Sequence, residues 1–583
     1  MSVLGINDSH DAGAAIVGNG EIESAINEER FTKRKNDVGF PFNSIRYLAS
    51  SEYGSDIDSV ALGWIGGNAL VSRVFPSWDR KRRSMWRREL PKPSRLSMHA
   101  SNIVYKLVQN QNPKFLWKAA GDYISRSVTL RKLGSIDAGL SKKKFYMVEH
   151  HMAHAASAYY PSGFKNALII TLDGAGDGLC GSVSVGDNGE IRRLAEFKAS
   201  ASLGIFFGAA TVSCDMRYAE DEGKLMSLAA YSYPAEIEAL NRICRYDEKR
   251  NTLVSDMGTR NEILLAEYMK DHILSKNDRE SFAYAVQRHL EKQVHAIASH
   301  WLKETGLHNL AVAGGLFSNV IVNRMLQEMP EVEHLFIFPQ MGDGGLSAGA
   351  AAYVDFMENG KLGGKQIQHS YFGPEYGDDE IEKAIKGWKE EHHSIEYERV
   401  GDPAEYAADI VARENKVLLW FQGRMEYGPR ALGNRSVIAM PNDNKNREII
   451  NLIIKKRPYY QPFASTILEE DARALLEDYK EPNRFMTIGN KVREKHVNDM
   501  VAAAHVDNTT RPQILGREEN FLYRKVIEGV RKRSGIGAVL NTSLNKHGKP
   551  IVMAPEDALW TLDNTGATLL MIGNYLVRKK GSK

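Results

Sequence analysis

The sequence predicts two α/β domains in tandem. A strand–loop–strand–turn–strand pattern occurs twice in the N-terminal third, and short apolar strands alternate with helices through the rest of the chain. A polar, glycine-rich stretch, Glu358–Gln368, separates two regions of this kind, as a domain boundary would. The chain has 583 residues, which is enough for two large domains. We place the first domain at residues 1–365, with an insert at about 70–135, and the second at residues 372–583.

The repeated pattern begins at the N-terminus. Val3–Ile6 and Ala14–Val17 predict strands on either side of a polar loop, and Asn19-Gly20 predicts a hairpin turn before a third strand, Ile22–Ile26. Near residue 167 the same order returns, with the acidic glycine loop Asp173–Gly178 in place of the polar loop. Such a duplication resembles the core of actin-like ATPases and sugar kinases, in which two loops hold a nucleotide phosphate between them. A coincidental pair of hairpins is the simpler alternative.

Helices and further strands follow the repeats. Residues 97–160, 235–248 and 260–305 are predicted to be mostly helical. Two later strands lead directly into glycine turns, and the second turn, Gly342–Gly345, opens an alanine-rich helix. The second domain alternates helices with three clear strands, Lys416–Phe421, Val437–Met440 and Gly537–Leu540.

Composition excludes several classes of protein. Hydrophobic residues make up 43% and charged residues 26%, which is typical of a folded soluble protein and not of a disordered chain. Cys180, Cys214 and Cys244 are isolated, which indicates a reducing compartment and provides no thiolate metal site. The N-terminus lacks the order of a signal peptide, and no apolar run is long enough to span a membrane. We therefore expect a cytoplasmic protein without a transmembrane segment.

The positive charge is concentrated in one segment. The formal net charge is +3, but Arg73–Arg95 has nine basic and two acidic residues, which leaves the rest of the chain at −4. Such a basic segment, interleaved with tryptophan, can cover an acceptor site, bind a phosphorylated acceptor or touch anionic lipid. A solvated surface insert without a binding role is an equal alternative.

The segment His150–His154 contains a candidate metal site. In a helix, His150 and His154 project from one face at the i, i+4 spacing that a divalent metal requires. Carboxylates are present in acidic glycine loops at Asp173 and Asp343. Two imidazoles with carboxylates suit iron, zinc or manganese and leave positions open for a substrate. The alternative is a surface or capping role for the histidines.

Three glycine loops predict a nucleotide site. Asp173–Gly178 follows a buried-looking strand, Gly314-Gly315 precedes Asn319, and Gly342–Gly345 precedes a helix. Glycines let backbone N–H groups approach a phosphate, and helix N-termini favour anions. The glycines of any one loop can be explained by a tight turn, but three such loops on one core favour a nucleotide-binding site.

The second domain contains a cluster of cationic and amide residues. Arg424–Arg435 has three arginines among glycines, and Lys455 and Arg511 follow it. Asn541–Asn545 adds hydroxyl and amide groups after an apolar strand. Arginine forks and lysine point charges bind phosphate or carboxylate. Because Gly and Pro interrupt any helical face here, a cleft for a small anion is favoured over a solvated basic face.

Taken in order, these motifs resemble those of the O-carbamoyltransferases of antibiotic and nodulation-factor biosynthesis. This family includes the tobramycin, cephem and geldanamycin carbamoylating enzymes, and the resemblance covers nearly the whole chain. The matching segments are Ser9–Gly13, Asn27–Lys35, His150–His154, Asp173–Gly178, Glu222–Met226, Ala313–Asn323, Gly342–Gly345, Glu426–Ser436, Arg511–Gln513 and Asn541–Asn545.

The resemblance implies a fold and a reaction. The first domain would be TsaD-like, with the duplicated core of actin-like (ASKHA) ATPases, and the second would be a YrdC-like α/β domain. The YrdC-like domain would make carbamoyl adenylate from carbamoyl phosphate and ATP with Mg²⁺. The TsaD-like domain would then pass the carbamoyl group to a hydroxyl of a small-molecule acceptor, a natural product or a sugar, at a site with Fe(II) or another divalent metal.

The family's site residues carry over by motif. The implied metal ligands are His150, His154, Asp173 and Asp343. The implied adenylate contacts are Asp173, Gly174, Gly176, Asp177, Gly314, Gly315, Asn319 and Gly344. The implied carbamoyl-phosphate and adenylation residues are Arg430, Lys455, Arg511, Asn541 and Ser543, and His10 is the expected general base. The chain departs from the family pattern at Gln461, where arginine is frequent, and at Val320, where cysteine or alanine is usual.

Two other functions stay open at this point. A threonylcarbamoyl-type tRNA-modifying enzyme combines the same two domain types, but it needs a broad basic surface, and most of this chain is net acidic. A non-enzymatic, nucleotide-regulated protein would bind ATP and make no use of carbamoyl phosphate. We expect no nucleic-acid partner. The acceptor is open, and so is the oligomeric state, for which a homodimer is one option.

Overall fold

The computed structural model of the chain describes residues 2–65, 73–77, 80–81, 115–257, 262–457 and 460–581. The chain forms two compact units: residues 1–29 and 36–367 make the first, and residues 30–35 and 368–583 make the second. The short segment 30–35 therefore belongs to the second unit, which no sequence pattern indicates. Within the described ranges, no helix is long and apolar enough to cross a membrane.

Two five-stranded sheets form the frame of the first unit. Their strands are β1 (Ser2–Asn7), β2 (Gly13–Gly18), β3 (Glu21–Asn27), β4 (Ile57–Leu62) and β5 (Lys144–Met147) in one sheet, and β6 (Asn166–Gly176), β7 (Leu179–Asp187), β8 (Glu190–Lys198), β11 (Asn309–Ala313) and β12 (His334–Ile337) in the other. A separate ribbon pairs β9 (Arg245–Asp247) with β10 (Thr252–Val254).

The two sheets have equivalent topology. Their orders are β3-β2-β1-β4-β5 and β8-β7-β6-β11-β12. In each, the first three strands form an antiparallel meander, and the last two pair in parallel at the side of its first strand. This equivalence confirms the repeat predicted from the sequence, since each half has the same strand senses as well as the same turns.

Two small-residue helices pack against the sheets. The helices described up to residue 359 are α1 (Glu29–Thr32), α2 (Phe42–Ser50), α3 (Phe115–Ile136), α4 (His150–Tyr159), α5 (Leu203–Ser213), α6 (Glu222–Leu228), α7 (Glu262–His272), α8 (Arg279–Thr305), α9 (Val320–Glu328) and α10 (Leu346–Asn359). Helix α10 packs on β1, β2 and β4 and also on α4, which packs on β6 and β11. A Cβ added to Gly349 would lie 1.9 Å from the Ala153 carbonyl oxygen, so only glycine permits this approach of α10 to α4.

The second unit is a mixed nine-stranded sheet with helices, as an α/β domain requires. Its order is β13-β21-β20-β14-β15-β19-β16-β18-β17. The strands are β13 (Ile395–Arg399), β14 (Leu418–Phe421), β15 (Arg435–Ala439), β16 (Ala464–Leu468), β17 (Asn490–Lys491), β18 (Thr509–Leu515), β19 (Ala538–Ser543), β20 (Leu569–Ile572) and β21 (Tyr575–Lys579). The helices are α11 (Asp378–His392), α12 (Pro403–Ala412), α13 (Asn444–Glu448), α14 (Glu469–Leu475), α15 (Phe521–Ser534) and α16 (Pro555–Asp563), and Ile449–Lys455 forms a π-helical turn.

Two predictions of helix are wrong in type. Lys144–Met147 is a parallel strand inside the stretch predicted as helical, and residues 235–248 contain a 3₁₀ turn and β9 in place of a helix. At both strands, pairing with another strand overrides local propensity. Residues 260–305, predicted to be mostly helical, form the two helices α7 and α8. Residues 97–114 of the first predicted helix lie outside the described part of the chain.

Candidate metal centre and anion site

The structure brings His150, His154, Asp173 and Asp343 together in the first unit. Each offers a ligand atom within 4.8 Å of the others. The histidines are in the first turns of α4, Asp173 is near the end of β6, and Asp343 is in the loop before α10. The closest ring contacts are His154 Nε2 to Asp343 Oδ1 at 3.4 Å and His150 Nε2 to Asp173 Oδ2 at 3.5 Å. The i, i+4 spacing of the histidines and the acidic loops that follow the strands therefore place all four side chains at the same site.

The start of α4 is fixed by two carboxylates. Glu149 is the N-cap and accepts hydrogen bonds from the backbone N–H groups of His151 and Met152. Asp177 Oδ2 accepts one from the backbone N–H of His150 at 2.9 Å. A Cβ on Gly176 would lie 2.2 Å from the His150 ring, so glycine makes room for that imidazole. The histidines are therefore held by their backbone as well as by packing.

The donor atoms suit a divalent cation. Both ring nitrogens of His150 and of His154, with Asp343 Oδ1, are buried and form no hydrogen bond in the described structure. Burial lowers the pKa of His150, but Asp343 and Asp173 outweigh it and raise that pKa to about 9. Burial opposes ionisation of Asp173, yet the two imidazoles hold its pKa well below the usual range. A cation would satisfy these orphaned atoms, and two imidazoles with two carboxylates suit iron, zinc or manganese.

His151, the neighbouring histidine, faces away from this set. Its Nδ1 lies 2.9 Å from Thr171 Oγ1, which in turn contacts Ser182 Oγ at 2.8 Å. Burial lowers the pKa of His151 to about 3. The ring is therefore neutral and packs against β6 and β7.

His10 lies beside the metal-ligand set. Its Nε2 is 3.5 Å from Asp343 Oδ2, and its Nδ1 is 3.2 Å from Asp11 Oδ2. The Nδ2 of Asn7 donates to the carbonyl oxygens of His10 and Asp343, both at 2.9 Å. Asn27 Nδ2 donates to the Asp11 carbonyl oxygen at 3.2 Å. These two asparagines, which no sequence motif assigns to the site, connect the loop of His10 to that of Asp343.

The residues predicted to contact adenylate lie around the same loops. Gly315 N–H donates to Asp173 Oδ1 at 2.8 Å. Gly314 has φ 111°, and a Cβ there would meet the Leu172 carbonyl oxygen at 2.1 Å, so this position requires glycine. The side chain of Asn319 caps α9 and pairs with Gln287. A Cβ on Gly174 would have 3.9 Å to its nearest neighbour, Tyr218 Oη, so the surface at Gly174 is open. Gly344 packs against the Gln340 amide.

The basic segment is only partly within the described residues. Arg82, Arg83, Arg87, Arg88, Lys92 and Arg95 lie outside them. Arg73, the first residue of the segment, is buried, and its Nε lies 2.7 Å from Asp8 Oδ2. The inclusion of Arg73 in a basic surface insert is therefore wrong: its charge is neutralised inside the first unit.

The second unit contains a cluster of guanidinium groups that form no ion pair with the described residues. Burial and the charges of Arg430 and Arg457 hold the pKa of Arg511 well below its usual range. Burial lowers the pKa of Arg430 to about 10 and, together with Arg447, that of Arg457 to about 9. The Nε atoms of Arg430 and Arg511 are buried and have no hydrogen-bond acceptor in the described structure. Like charges brought together in this way attract an anion.

Lys455 and Ser543 are in contact in the same unit as the guanidinium cluster. The Lys455 ammonium donates to the Ser543 carbonyl oxygen and lies 3.2 Å from Ser543 Oγ. Burial, with the charges of Arg457 and Lys35, holds the pKa of Lys455 well below its usual range. Asn541 was predicted to follow a strand but is itself a residue of β19, where it pairs with Ala464 of β16. The predicted residues Arg430, Lys455, Arg511, Asn541 and Ser543 thus all belong to one unit.

Two models of known protein families match the chain. The family model described as carbamoyltransferase N-terminus matches residues 2–352, and the one described as carbamoyltransferase C-terminus matches residues 408–579. The chain belongs to the carbamoyltransferase family. It is therefore an enzyme of the transferase class, and the family resemblance found in the sequence is confirmed.

Named relatives match this carbamoyltransferase over most or nearly all of the chain. Nodulation protein NolNO of Sinorhizobium fredii is 32% identical over 98% of this chain and 79% of its own length. The 3'-hydroxymethylcephem-O-carbamoyltransferase of Amycolatopsis lactamdurans is 26% identical over 61% of this chain and 64% of its own. The crystal structure of full-length HypF in its phosphate- and nucleotide-bound form has 13% identity and a TM-score of 0.32, over 62% and 56% of the two chains. The family assignment rests on the sequence matches.

One residue of the guanidinium cluster of this carbamoyltransferase is not among those that the family resemblance implies. Arg457 follows Lys455 and Lys456, and the sequence predicts it only as one of the cations near the anion cleft. Its Nε donates to Asn451 Oδ1 at 2.6 Å, and its guanidinium lies 4.2 Å over the Phe463 ring. Gln461, at the position where the family often has arginine, is four residues further on. The signal available in the sequence was the density of cations after residue 454, which does not say which of them turns inward.

Proposed function

We propose that this enzyme forms carbamoyl adenylate from carbamoyl phosphate and ATP in its second unit and transfers the carbamoyl group to a hydroxyl of a small-molecule acceptor in its first unit. The observation that carries the proposal is the cluster of Arg430, Arg457 and Arg511, half-buried arginines that form no ion pair with the described residues. The Nε atoms of Arg430 and Arg511 are buried without a hydrogen-bond acceptor among those residues. Carbamoyl phosphate and the ATP phosphates are anions of the right kind. The acyl chemistry follows from the carbamoyltransferase family.

The guanidinium cluster fits the first half-reaction. Water hydrolyses carbamoyl phosphate, which breaks the bond between the carbamoyl oxygen and phosphorus and releases inorganic phosphate and carbamate. A carbamate oxygen then attacks the α-phosphorus of ATP, the bond to the oxygen that bridges to the β-phosphate breaks, and pyrophosphate leaves. Negative charge builds up on the departing oxygens, and Arg430, Arg511 and Lys455 stabilise it. The π-helical turn that ends at Lys455 orients its ammonium toward Ser543. Mg²⁺ accompanies ATP as part of the co-substrate.

The His10 loop fits the second half-reaction. His10 Nε2 accepts the proton of the acceptor hydroxyl as the hydroxyl oxygen attacks the carbamoyl carbon, and AMP leaves. Asp11 and Asp343 lie on either side of the imidazole and stabilise the charge that it gains. His150, His154, Asp173 and Asp343 would hold Fe(II) or another divalent ion, which when bound supplies Lewis-acid polarisation. The glycine surface at Gly174 is open to the adenylate.

The acceptor class comes from the named relatives. One acts on 3'-hydroxymethylcephem and another is a nodulation protein. A hydroxyl-bearing natural product or sugar is the acceptor class that we infer for this chain. Carbamoyl transfer to oxygen requires no group beyond those already assigned.

The test uses the full-length enzyme with a divalent metal, ATP and carbamoyl phosphate. Pyrophosphate release that depends on carbamoyl phosphate is expected before any acceptor is added. A panel of sugars, aminoglycosides, macrolides and cephems is then screened by mass spectrometry for the gain of one carbamoyl group. Pyrophosphate release that is independent of carbamoyl phosphate would overturn the adenylation step, and carbamoylation of tRNA instead of small molecules would overturn the acceptor class.

A further inference from the structure

The buried carboxylate of Glu426 binds three backbone N–H groups of one loop. Its Oε1 accepts hydrogen bonds from the N–H groups of Leu432 and Asn434, both at 2.8 Å, and from that of Arg435 at 3.1 Å. Backbone N–H groups that converge on one point form a site for an anion, and hydrogen bonds to a charged acceptor are about twice as strong as neutral ones. Glu426 therefore supplies, from within the chain, the negative charge that this loop conformation favours.

Two carbonyl groups of the same loop are held by neutral side chains. The Leu432 carbonyl oxygen accepts a hydrogen bond from Tyr371 Oη at 2.7 Å, and that of Gly433 accepts one from Trp420 Nε1 at 2.8 Å. Each of these side chains binds one group, whereas Glu426 is charged and binds three. Its removal would leave three donors of buried residues without an acceptor, which costs more than the loss of either neutral contact.

The loop begins directly after Arg430, a residue of the guanidinium cluster. The Nε of Arg430 is buried and has no acceptor among the described residues, so no partner at that atom fixes the direction of the side chain. The backbone that follows Arg430 therefore determines where its guanidinium lies. The charges of Arg430 and Arg511 also act on each other, and this repulsion favours movement of the loop away from Arg511 unless the loop is held.

We infer that Glu426 is a positioning residue that holds residues 431–435, and with them Arg430, in the anion-binding arrangement before any ligand arrives. A carboxylate repels a phosphate, so an effect of Glu426 that strengthens anion binding has to pass through the loop. When the loop is ordered in advance, binding does not include the cost of ordering it, and the affinity is higher. This inference rests on the anion-binding role proposed for Arg430 and adds the group that prepares the site.

Amide hydrogen exchange of the full-length enzyme, followed by mass spectrometry, tests the order of the loop. In the wild type, residues 431–435 are expected to be protected from exchange without any ligand. In Glu426→Leu the three N–H groups lose their acceptor, so protection of this segment should fall at least about tenfold and should return when pyrophosphate is added. A wild-type segment that exchanges freely until pyrophosphate is added would overturn the inference, whether or not Glu426→Leu folds.

The affinity for pyrophosphate, measured by titration calorimetry, is the second readout. Glu426→Leu is expected to bind pyrophosphate at least about tenfold more weakly than the wild type, because binding then includes the ordering of the loop. Glu426→Gln retains an oxygen acceptor in place of Oε1 and should bind within about threefold of the wild type. The same variant puts an NH₂ group in place of Oε2, which is buried without a partner among the described residues, so its thermal midpoint should fall. Undiminished affinity in Glu426→Leu would overturn the inference.

Asp402→Ala is the matched control in the same unit. Asp402 Oδ1 accepts hydrogen bonds from the backbone N–H groups of Ala404 and Glu405, both at 3.2 Å, at the start of α12. Its removal should lower the thermal midpoint and leave both the pyrophosphate affinity and the exchange of residues 431–435 unchanged. If Asp402→Ala weakens pyrophosphate binding as much as Glu426→Leu does, the effect is general and the inference is wrong.

The outcome is separable from that of the proposed function. If Glu426→Leu loses protection and affinity, but the wild type releases no pyrophosphate from ATP with carbamoyl phosphate, the role of Glu426 stands and adenylation is overturned. If the wild type releases pyrophosphate and Glu426→Leu binds it normally, the role of Glu426 alone is overturned.

Discussion

Asp177 accepts a hydrogen bond from the backbone N–H of His150 at 2.9 Å, through the same Oδ2 that accepts from the Ile65 N–H at 3.1 Å. Asp177 lies at the tip of the β6–β7 hairpin with φ 45°, a left-handed conformation. The hairpin tip is thereby attached to the first residue of α4, where a negative charge also favours the helix N-terminus. The residue that we predicted as an adenylate contact thus positions the helix that contains two of the candidate metal ligands.

Asp177→Gly should weaken metal binding. Glycine accepts the left-handed φ, so the substitution removes the carboxylate without adding backbone strain. Loss of an outer-shell partner typically costs about 10–100-fold in metal affinity. A titration with Co²⁺ followed by its visible spectrum measures the change directly. Asp187→Gly, at the opposite end of β7, is the control and should bind Co²⁺ like the wild type; equal affinities for all three proteins would contradict the role.

Arg73→Met should destabilise the first unit strongly. The Arg73–Asp8 pair is completely buried, and removing one partner of a buried pair leaves an uncompensated charge, which costs about 3–5 kcal/mol. The thermal midpoint should fall, and Asp8→Leu in the same chain should restore part of the loss. Arg80→Met, an exposed residue of the same basic segment, should have a midpoint within experimental error of the wild type. A small, equal effect of Arg73→Met and Arg80→Met would show that the buried pair is not needed.

Features that depend on residues close together in the sequence could be predicted from it. Contacts between residues far apart in the sequence could not. The metal set was predictable because His150 and His154 share a helix face and the carboxylates follow strands of a repeat. The Arg73–Asp8 pair joins residues 65 positions apart, and nothing near either residue indicates the other. Asn541 was recognised as polar, but its place in β19 depends on pairing with two strands far along the chain.

Glu149→Gln should remove a pH-dependent part of the stability. Burial raises the pKa of Glu149, but the Arg193 guanidinium and the hydrogen bonds of the N-cap, including that from the His151 backbone N–H, lower it below its ordinary value. A carboxyl whose pKa is lower in the folded chain stabilises that chain above the unfolded pKa, about 4.3, and loses this effect as the pH falls through the folded value. At pH 7, Glu149→Gln should be less stable than the wild type by about 1 kcal/mol and should have a lower thermal midpoint. The difference between the two midpoints should disappear below about pH 4. A gap that is constant with pH, as expected for the exposed control Glu21→Gln, would rule this out.

Arg511→Met should abolish the binding of pyrophosphate without lowering the stability of the enzyme. The arginine lies among like charges, so its removal relieves repulsion, and in buffer without phosphate the variant should be at least as stable as the wild type. Pyrophosphate at one hundred times its Kd should stabilise the wild type by about 2.7 kcal/mol and the variant by almost nothing. Scanning calorimetry with and without pyrophosphate measures both effects. Arg413→Met, an exposed surface arginine, should respond like the wild type; pyrophosphate stabilisation of Arg511→Met to the wild-type extent would contradict an anion site here.

Lys455→Ala and His154→Ala should fail in opposite half-reactions. Lys455 is buried in the second unit beside Ser543, so its loss should abolish pyrophosphate release from carbamoyl phosphate and ATP while transfer from supplied carbamoyl adenylate continues. His154 belongs to the metal set of the first unit, so its loss should stop transfer and spare pyrophosphate release. Lys456→Ala and His308→Ala, both exposed, are the matched controls and should retain both activities. Equal losses of both activities in Lys455→Ala and His154→Ala would refute the division of the reaction between the two units.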